Sequence, residues 1–174
     1  MISKKMQNAI NDQITLEFYS ANLYLAMSAH METKNLKGFA HWLRVQYEEE
    51  TFHALKFYDY VNSREGVVVI QNIDAPPTDF GTPAKIFKHV LEHEQEITSS
   101  INKLYKVAVE QNDVATQIFL HWYINEQIEE ESNASEVLGK LTLIGERGVD
   151  LLYLDTELAK RVFVPPSASN EAQA

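Results

Sequence analysis

QYEEETFHALKFYDYV, residues 46–61, is the stretch that decides the fold. It contains no glycine or proline, and its aromatic and aliphatic residues return at steps of three and four, which is the spacing of one face of an α-helix. Glu50 and His53 fall on this apolar face, whereas Glu48 does not. The stretch therefore predicts a core helix that carries a carboxylate and an imidazole into the interior of the protein.

Long helices are predicted on both sides of residues 66–83, because three of the five prolines and two of the six glycines fall within that range. Thr82 and Pro83 have the residue types of an N-cap and a first helical position. We expect four helices, at about 4–33, 37–64, 83–111 and 114–141. Helices of this length need tertiary partners, so the pattern predicts an all-α four-helix bundle.

The connection between the second and third helices, residues 65–81, is long enough to run the length of a bundle and predicts one crossover. Its β-branched run VVVIQNI is expected to pack against another surface. A short fifth helix at about 149–161 carries four leucines that a closed core does not need, which indicates oligomer contacts. We expect one domain over residues 1–162 and a disordered tail over 163–174.

The composition is acidic, with 15 basic and 25 acidic side chains and a net charge of −10. This charge disfavours nucleic acid and anionic membranes as partners. The absence of cysteine excludes disulfides, thiolate metal sites and thiol nucleophiles. The N-terminus lacks the apolar segment of a signal peptide, and no apolar run approaches the ~18–20 residues that span a bilayer. We expect a cytoplasmic protein.

Each of the four predicted helices has a glutamate on its apolar stripe, close to its midpoint. The residues are Glu17, Glu50 with His53, Glu94, and Glu126 with Glu130. Bundle packing places the midpoints at one level, so these side chains are predicted to form one buried cluster. Buried carboxylates so close together cannot all stay charged without compensation. A divalent cation such as iron, manganese or zinc supplies that compensation.

Glu50 and His53 also have the i, i+3 spacing of the Glu-x-x-His element of di-iron bundles. This element is frequent by chance, and a single stripe glutamate is more often solvated, so the agreement of all four helices carries the metal hypothesis. Tyr24 lies two turns from Glu17, where its phenol could donate to a ligand carboxylate or give an electron, or simply pack in the core. Surface or packing roles are expected for Glu48, Glu131, His30, His41, His89, His93 and His121.

The motifs together resemble those of bacterial non-haem ferritins, over residues 3–161. The matching motifs are LEFYSANLY (16–24), EEETFHALKFYDY (48–60), HEQEI (93–97) and WYINEQIEEE (122–131). The resemblance implies a ferritin-like bundle in a homo-oligomeric shell of 24 subunits, with the fifth helix lining the four-fold axes. It also implies oxidation of Fe(II) to Fe(III) by dioxygen or hydrogen peroxide, and storage of the iron as a ferric mineral.

The resemblance further implies an intrasubunit di-iron ferroxidase centre. One iron would bind Glu17, Glu50 and His53. The second would bind Glu50, Glu94 and Glu130, so that Glu50 bridges the two ions.

A third iron site and an outer ligand are also implied by the resemblance. Gln127 would lie beside the second iron and hydrogen-bond a bound water or oxygen species. The third site would be formed by Glu49, Glu126, Glu129 and Glu130. In this picture Glu49 is directed toward the fourth helix.

The chain departs from the patterns of two related families, the bacterioferritins and the animal ferritins. Bacterioferritins have a second Glu-x-x-His on the fourth helix and a haem-binding methionine after the second-helix glutamate. This chain has Gln127 and Glu130 in that helix and Thr51 in the methionine position, so no haem is expected. Gln117 and Leu120 match positions where animal ferritins carry acids at a three-fold pore, which argues against an acidic channel there.

Two other interpretations of the same residues stay open. A di-iron or di-manganese oxidase, peroxidase or catalase could use the same fold in a small oligomer. A four-helix interaction protein without a metal could place these glutamates on solvated faces.

Overall fold

The computed structural model describes residues 1–145 and 148–165. The helices among these residues are α1 (Lys4–Thr33), α2 (Lys37–Ser63), α3 (Pro83–Glu110), α4 (Val114–Ile144) and α5 (Gly148–Leu158), and no strand occurs among them. The predicted all-α bundle with a short fifth helix is confirmed. None of these helices combines the length and the hydropathy that crossing a membrane requires.

Side chains cap the N-termini of α3 and α4, and the cap by Thr82 was predicted from the sequence. Thr82 Oγ1 accepts from the Lys85 amide at 3.3 Å, ahead of Pro83, and Asp113 Oδ1 accepts from the Thr116 amide at 3.1 Å. These bonds satisfy amides that have no partner within the helix.

The fourth helix is slightly longer than predicted, because it continues beyond residue 141 to Ile144, with Gly139 in its interior. A glycine inside a helix costs only about 1 kcal/mol relative to alanine. Burial of Val137 and Leu141 in the bundle offsets that cost.

The connection between α2 and α3 follows α1 over its whole length. It leaves α2 beside Ile2, whose amide donates to the Arg64 carbonyl at 3.0 Å, and reaches α3 beside His30, which bonds the Gly81 carbonyl at 3.0 Å. The Asn11 side chain holds the backbone of this connection: its Nδ2 donates to the Val67 carbonyl, and its Oδ1 accepts from the Val69 amide. The chain therefore returns to the other end of the bundle, and α2 and α3 run parallel.

The apolar core consists of two clusters, one at each end of the bundle. A layer of polar residues separates them, at the level predicted from the helix midpoints. The intervals between the clusters are residues 14–23 in α1, 43–57 in α2, 90–97 in α3 and 123–134 in α4.

The fifth helix packs against the N-terminal end of α2. Leu154 and Leu158 are buried in the neighbouring core cluster, whereas Leu152 and Tyr153 are exposed. Two of the four leucines predicted to make oligomer contacts therefore belong to the core of the chain itself. Residues 166–174 of the predicted disordered tail lie outside the described residues.

Candidate metal centre

The polar layer contains a carboxylate from each of the four long helices. Glu17, Glu50, Glu94 and Glu130 are each exposed by 3% or less, and His53 by 2%. Each lies on the apolar stripe of its helix, so the same packing that buries the neighbouring leucines and phenylalanines also buries these polar groups. The sequence therefore located this layer on all four helices.

Glu17, Glu50 and His53 form the first potential cation site. One ligand atom from each lies within 4.8 Å of the others, and Glu50 Oε2 is 3.4 Å from His53 Nδ1. Gln13 Nε2 donates to Glu17 Oε1 at 2.9 Å. Within the described part of the chain, Glu17 Oε2 and His53 Nε2 are buried without a hydrogen-bond partner. Such atoms need a partner, and a divalent cation suits both donor types.

His53, Glu126 and Glu130 form a second potential cation site, again with ligand atoms within 4.8 Å of one another. His53 Nε2 lies 4.0 Å from Glu126 Oε1, and Glu126 is partly exposed. Gln46 Nε2 donates to Glu130 Oε2 at 2.7 Å. The imidazole of His53 thus lies between the two sets of carboxylates.

Glu94 lies in the same layer but outside both sets of close ligands. Tyr24 donates its phenolic hydrogen to Glu94 Oε1, and Gln127 Nε2 lies 3.2 Å from Glu94 Oε2. The same Gln127 nitrogen lies 3.2 Å from the Glu94 carbonyl oxygen. Gln127 and Tyr24 therefore fix the position of this carboxylate from two sides.

The two remaining glutamates of the predicted third site have different surroundings. Glu129 is exposed, whereas the Glu49 carboxylate accepts a hydrogen bond from the guanidinium of Arg161, which follows α5. Burial raises the pKa of Glu49 to about 7, although Arg161 lowers it. Both Glu129 and Glu49 lie outside the two close ligand sets.

The charges of the layer are balanced by protons. Burial, reinforced by Glu50, raises the pKa of Glu17 to about 8 and that of Glu130 to about 8. Burial lowers the pKa of His53, but Glu50 more than reverses this and the value is about 10. The pKa of Glu50 is lowered overall: burial alone would raise it, but the neighbouring His53 more than offsets that effect. Protons therefore take the place that a cation can fill.

Several residues that organise the centre had no functional assignment from the sequence. Gln46 has no ligand chemistry of its own to mark it in the sequence, although it stands one turn before Glu50 on the same face. Gln13 lies off the predicted stripe. Arg161 comes after the last helix, where periodicity carries no information. His93, predicted to have a surface or packing role, is buried with its Nε2 2.8 Å from Ser20 Oγ.

Comparison with known proteins agrees with this architecture. A family model described as a ferritin-like domain matches residues 7–144. The chain belongs to the ferritin-like family. The resemblance to bacterial non-haem ferritins, stated above from four motifs, is confirmed by the curated relatives described next.

Curated ferritins match nearly the whole chain. The bacterial non-haem ferritin of Bacteroides fragilis (strain 638R) is 42% identical over 161 residues, which cover 92% of this chain and 100% of the relative. The bacterial non-haem ferritin of Staphylococcus aureus (strain USA300) is 37% identical over 163 residues, covering 94% and 98%.

Solved ferritin structures share the fold in detail. An open pore ferritin from the hyperthermophilic archaeon Archaeoglobus fulgidus superimposes with a TM-score of 0.92 at 45% identity, covering 93% of this chain and 100% of the other. A closed form of that ferritin, engineered by site-directed mutagenesis, gives a TM-score of 0.93 at 45% identity, covering 94% and 100%.

Proposed function

We propose that this protein is an iron-storage ferritin that oxidises Fe(II) to Fe(III) inside each subunit. The observation that carries the proposal is the buried set of Glu17, Glu50 and His53, with two polar atoms that lack a hydrogen-bond partner among the described residues. A buried group of acids and one imidazole is costly without a cation and suits ferrous iron.

The first iron is assigned to Glu17, Glu50 and His53, and the second to Glu50, Glu94 and Glu130. Support for the first assignment comes from the short distances among its three ligands. Support for the second comes from the burial of Glu94 and Glu130 in the same layer and from the contribution of Glu130 to the raised pKa of Glu94. Glu50 is the shared ligand in this assignment, because it lies beside Glu17 and His53 on one side and shares the Gln46 amide nitrogen with Glu130 on the other.

A third iron is assigned to Glu126 and Glu130, with Glu49 and Glu129 as further ligands. The close approach of Glu126 and Glu130 to His53 supports this position. Glu126 is the more accessible of the two, so the third site is nearer the surface than the first two.

The chemistry at this centre is a two-electron reaction. Two Fe(II) ions each lose one electron, and dioxygen takes up the two electrons and two protons to become hydrogen peroxide. If peroxide is the oxidant, it takes up two electrons and two protons to become two molecules of water. The ligand residues supply geometry and negative charge for Fe(III), and Gln127 and Tyr24 orient the Glu94 carboxylate.

The iron is proposed to be stored as ferric mineral in a cytoplasmic shell of 24 copies. Val67 and Ile70 of the α2–α3 connection are exposed by 62% and 63%, and Leu152 and Tyr153 of α5 by 60% and 76%. Apolar side chains exposed at two separate places support self-association through more than one surface.

The proposal is tested by adding Fe(II) and oxidant to the metal-free protein and measuring the initial rate of Fe(III) formation. Glu17→Gln removes one ligand charge at nearly constant volume and is expected to lose most of the rapid oxidation. Glu48→Gln on α2 is the matched control, because Glu48 is exposed, and it is expected to behave as wild type. Rapid oxidation by the Glu17→Gln variant at the wild-type rate would show that the site assignment is wrong.

A di-iron or di-manganese oxidase in a small oligomer is the alternative. A cavity of about 270 Å³ between α3 and α4 is lined by Ile101, Ile124 and Gln127, and could admit a small apolar substrate beside the centre. Mass measurement in solution separates the two proposals. A mass near 19.9 kDa or twice that value would favour the oxidase, and a mass of several hundred kilodaltons favours storage.

A further inference from the structure

The chain beyond α5 runs alongside α2 toward the candidate metal centre. Asp155 in α5 accepts from the Phe39 amide at 2.9 Å, which fixes the starting point. Residues 159–165, here called the C-terminal strap, then run parallel to α2. From Asp155 onward, the contacts between this segment and α2 move toward the C-terminal end of α2, turn by turn. The α2 residues contacted are Phe39, His41, Trp42, Gln46, Glu49 and Phe52.

Arg161 is the charged residue by which the strap reaches the centre. Its carbonyl lies 2.8 Å from His41 Nε2, and its guanidinium lies over the Trp42 ring, 4.2 Å from the centroid. Nη1 donates to Gln46 Oε1 at 2.5 Å, and Nη2 donates to Glu49 Oε2. The Arg161 and Glu49 side chains are only 15% and 13% exposed. The ion pair is therefore largely shielded from solvent, where such pairs are stronger than on an open surface.

The contact extends from the strap to two of the proposed iron ligands. Gln46 accepts from Arg161 through its oxygen and donates through its amide nitrogen to Glu130, at 2.7 Å. The same nitrogen is 3.3 Å from Glu50 Oε1. Arg161 thus determines which way the Gln46 amide points, and it places one positive charge among carboxylates that would otherwise face a metal ion.

We propose that Arg161 competes with iron for Glu49, so that Glu49 can complete the third iron site only after the strap has moved. The inference rests on the proposed function, because it takes the third site as assigned above. Coupling of this kind is reciprocal: a third ion releases the strap, and a released strap strengthens binding of the third ion. The first two ions, at the buried layer, are not in direct competition with Arg161.

Zn²⁺ is a suitable probe, because it does not oxidise and it accepts carboxylate and imidazole ligands. Calorimetric titration of the metal-free protein gives the number of ions per subunit and their affinities. In Arg161→Gln the dissociation constant of the third Zn²⁺ ion is expected to fall about tenfold to a hundredfold. This is the range expected because the third ion no longer has to displace a charged group that is hydrogen-bonded to Glu49. Arg161→Lys, which keeps the charge without the two-pronged contact, is expected to fall between this variant and wild type.

Lys160→Gln is the matched control, because it makes the same change in charge on an exposed neighbouring residue, and its third dissociation constant should equal that of wild type. Hydrogen exchange of residues 159–165 provides an independent measurement. In wild type it should rise when the third ion binds, and in Arg161→Gln it should already be high without metal.

The outcomes separate the inference from the function on which it rests. Equal third dissociation constants in Arg161→Gln and wild type, or two ions and no third in every variant, would overturn the competition while the di-iron centre stands. Failure of the wild-type protein to bind even two ions would overturn the proposed function, and the inference with it.

Discussion

The phenol of Tyr24 donates a hydrogen bond to the carboxylate of Glu94, and this bond joins α1 to α3 in the middle of the bundle. Both side chains are buried. Burial, with Glu94 adding to it, raises the pKa of Tyr24 well above its usual value, so the phenol remains a neutral donor. Burial, Glu50 and Glu130 raise the pKa of Glu94, and the bond from Tyr24 acts against that rise.

Tyr24→Phe is expected to weaken binding at the second proposed iron position. Loss of the donor removes a group that favours the charged form of Glu94, so the carboxyl keeps its proton more tightly and competes less well for a cation. The metal-free protein should also lose about 1–2 kcal/mol of stability, because Glu94 loses a buried partner. Zn²⁺ titration and denaturant unfolding measure the two effects. Tyr58→Phe, on an exposed part of α2, is the control and should change neither the Zn²⁺ affinity nor the stability. An unaltered affinity for the second Zn²⁺ ion in Tyr24→Phe would contradict the proposed role of Tyr24.

The level of the polar layer could be predicted from the sequence, because the position of a residue on a helix follows from local spacing. Glu17 and Glu130 stand on their stripes at i, i+3 and i, i+4 steps from buried neighbours, and packing of helices of similar length brings their midpoints to one level. The end of α4 was predicted slightly too early, at about residue 141, because the packing that carries the helix onward to Ile144 involves other elements.

The contacts around Glu49 could not be predicted in this way. Arg161 is 112 residues away in the chain and lies beyond the last helix, so no periodicity connects the two. The bond from Gln46 to Glu130 spans 84 residues and depends on how α2 and α4 face each other. Local patterns placed the proposed ligands on the core faces of their helices, whereas the bonds from Arg161 to Glu49 and from Gln46 to Glu130 depend on the tertiary fold.

The stability of the metal-free protein is expected to fall as the pH rises from about 5 to 8. Glu17 and Glu130 have folded-state pKa values of about 8, above their ordinary value of 4.5, so between these values the folded protein binds more protons than the unfolded chain. Stability then decreases with pH. His53, raised from 6.5 to about 10, acts in the same direction from neutral pH upward. Denaturant unfolding at several pH values checks the slope.

Glu17→Gln identifies the source of that pH dependence. The side chain at position 17 cannot ionise in this variant, so the stability should fall less steeply with pH. At pH 8 the free energy of unfolding of the variant should exceed that of wild type by roughly 1–3 kcal/mol. Glu48→Gln should follow the wild-type curve, because Glu48 is exposed. Parallel curves for Glu17→Gln and wild type would show that the burial of Glu17 has no such cost.

Metal binding is expected to release protons at neutral pH. A ligand carboxylate or imidazole must be free of its proton to bind a cation, and the pKa values of Glu17, Glu130 and His53 are about 8, 8 and 10 in the metal-free protein. Apparent Zn²⁺ affinity should therefore increase with pH up to that range. Calorimetric titration in buffers of different ionisation enthalpy counts the protons released. Zero release at pH 7, or an affinity that falls as the pH rises, would contradict these pKa values.

Gly38→Ala is expected to displace α5. A Cβ atom at this position would stand 1.6 Å from the Asp155 carbonyl oxygen, so α5 or the start of α2 must move, at a cost of about 1–3 kcal/mol or more. The shift should raise hydrogen exchange in α5 and the C-terminal strap. Gly139→Ala is the matched control: nothing lies within 4 Å of its Cβ, and it should stabilise α4 by about 0.5–1 kcal/mol. Equal exchange in both variants would show that α5 does not depend on this contact.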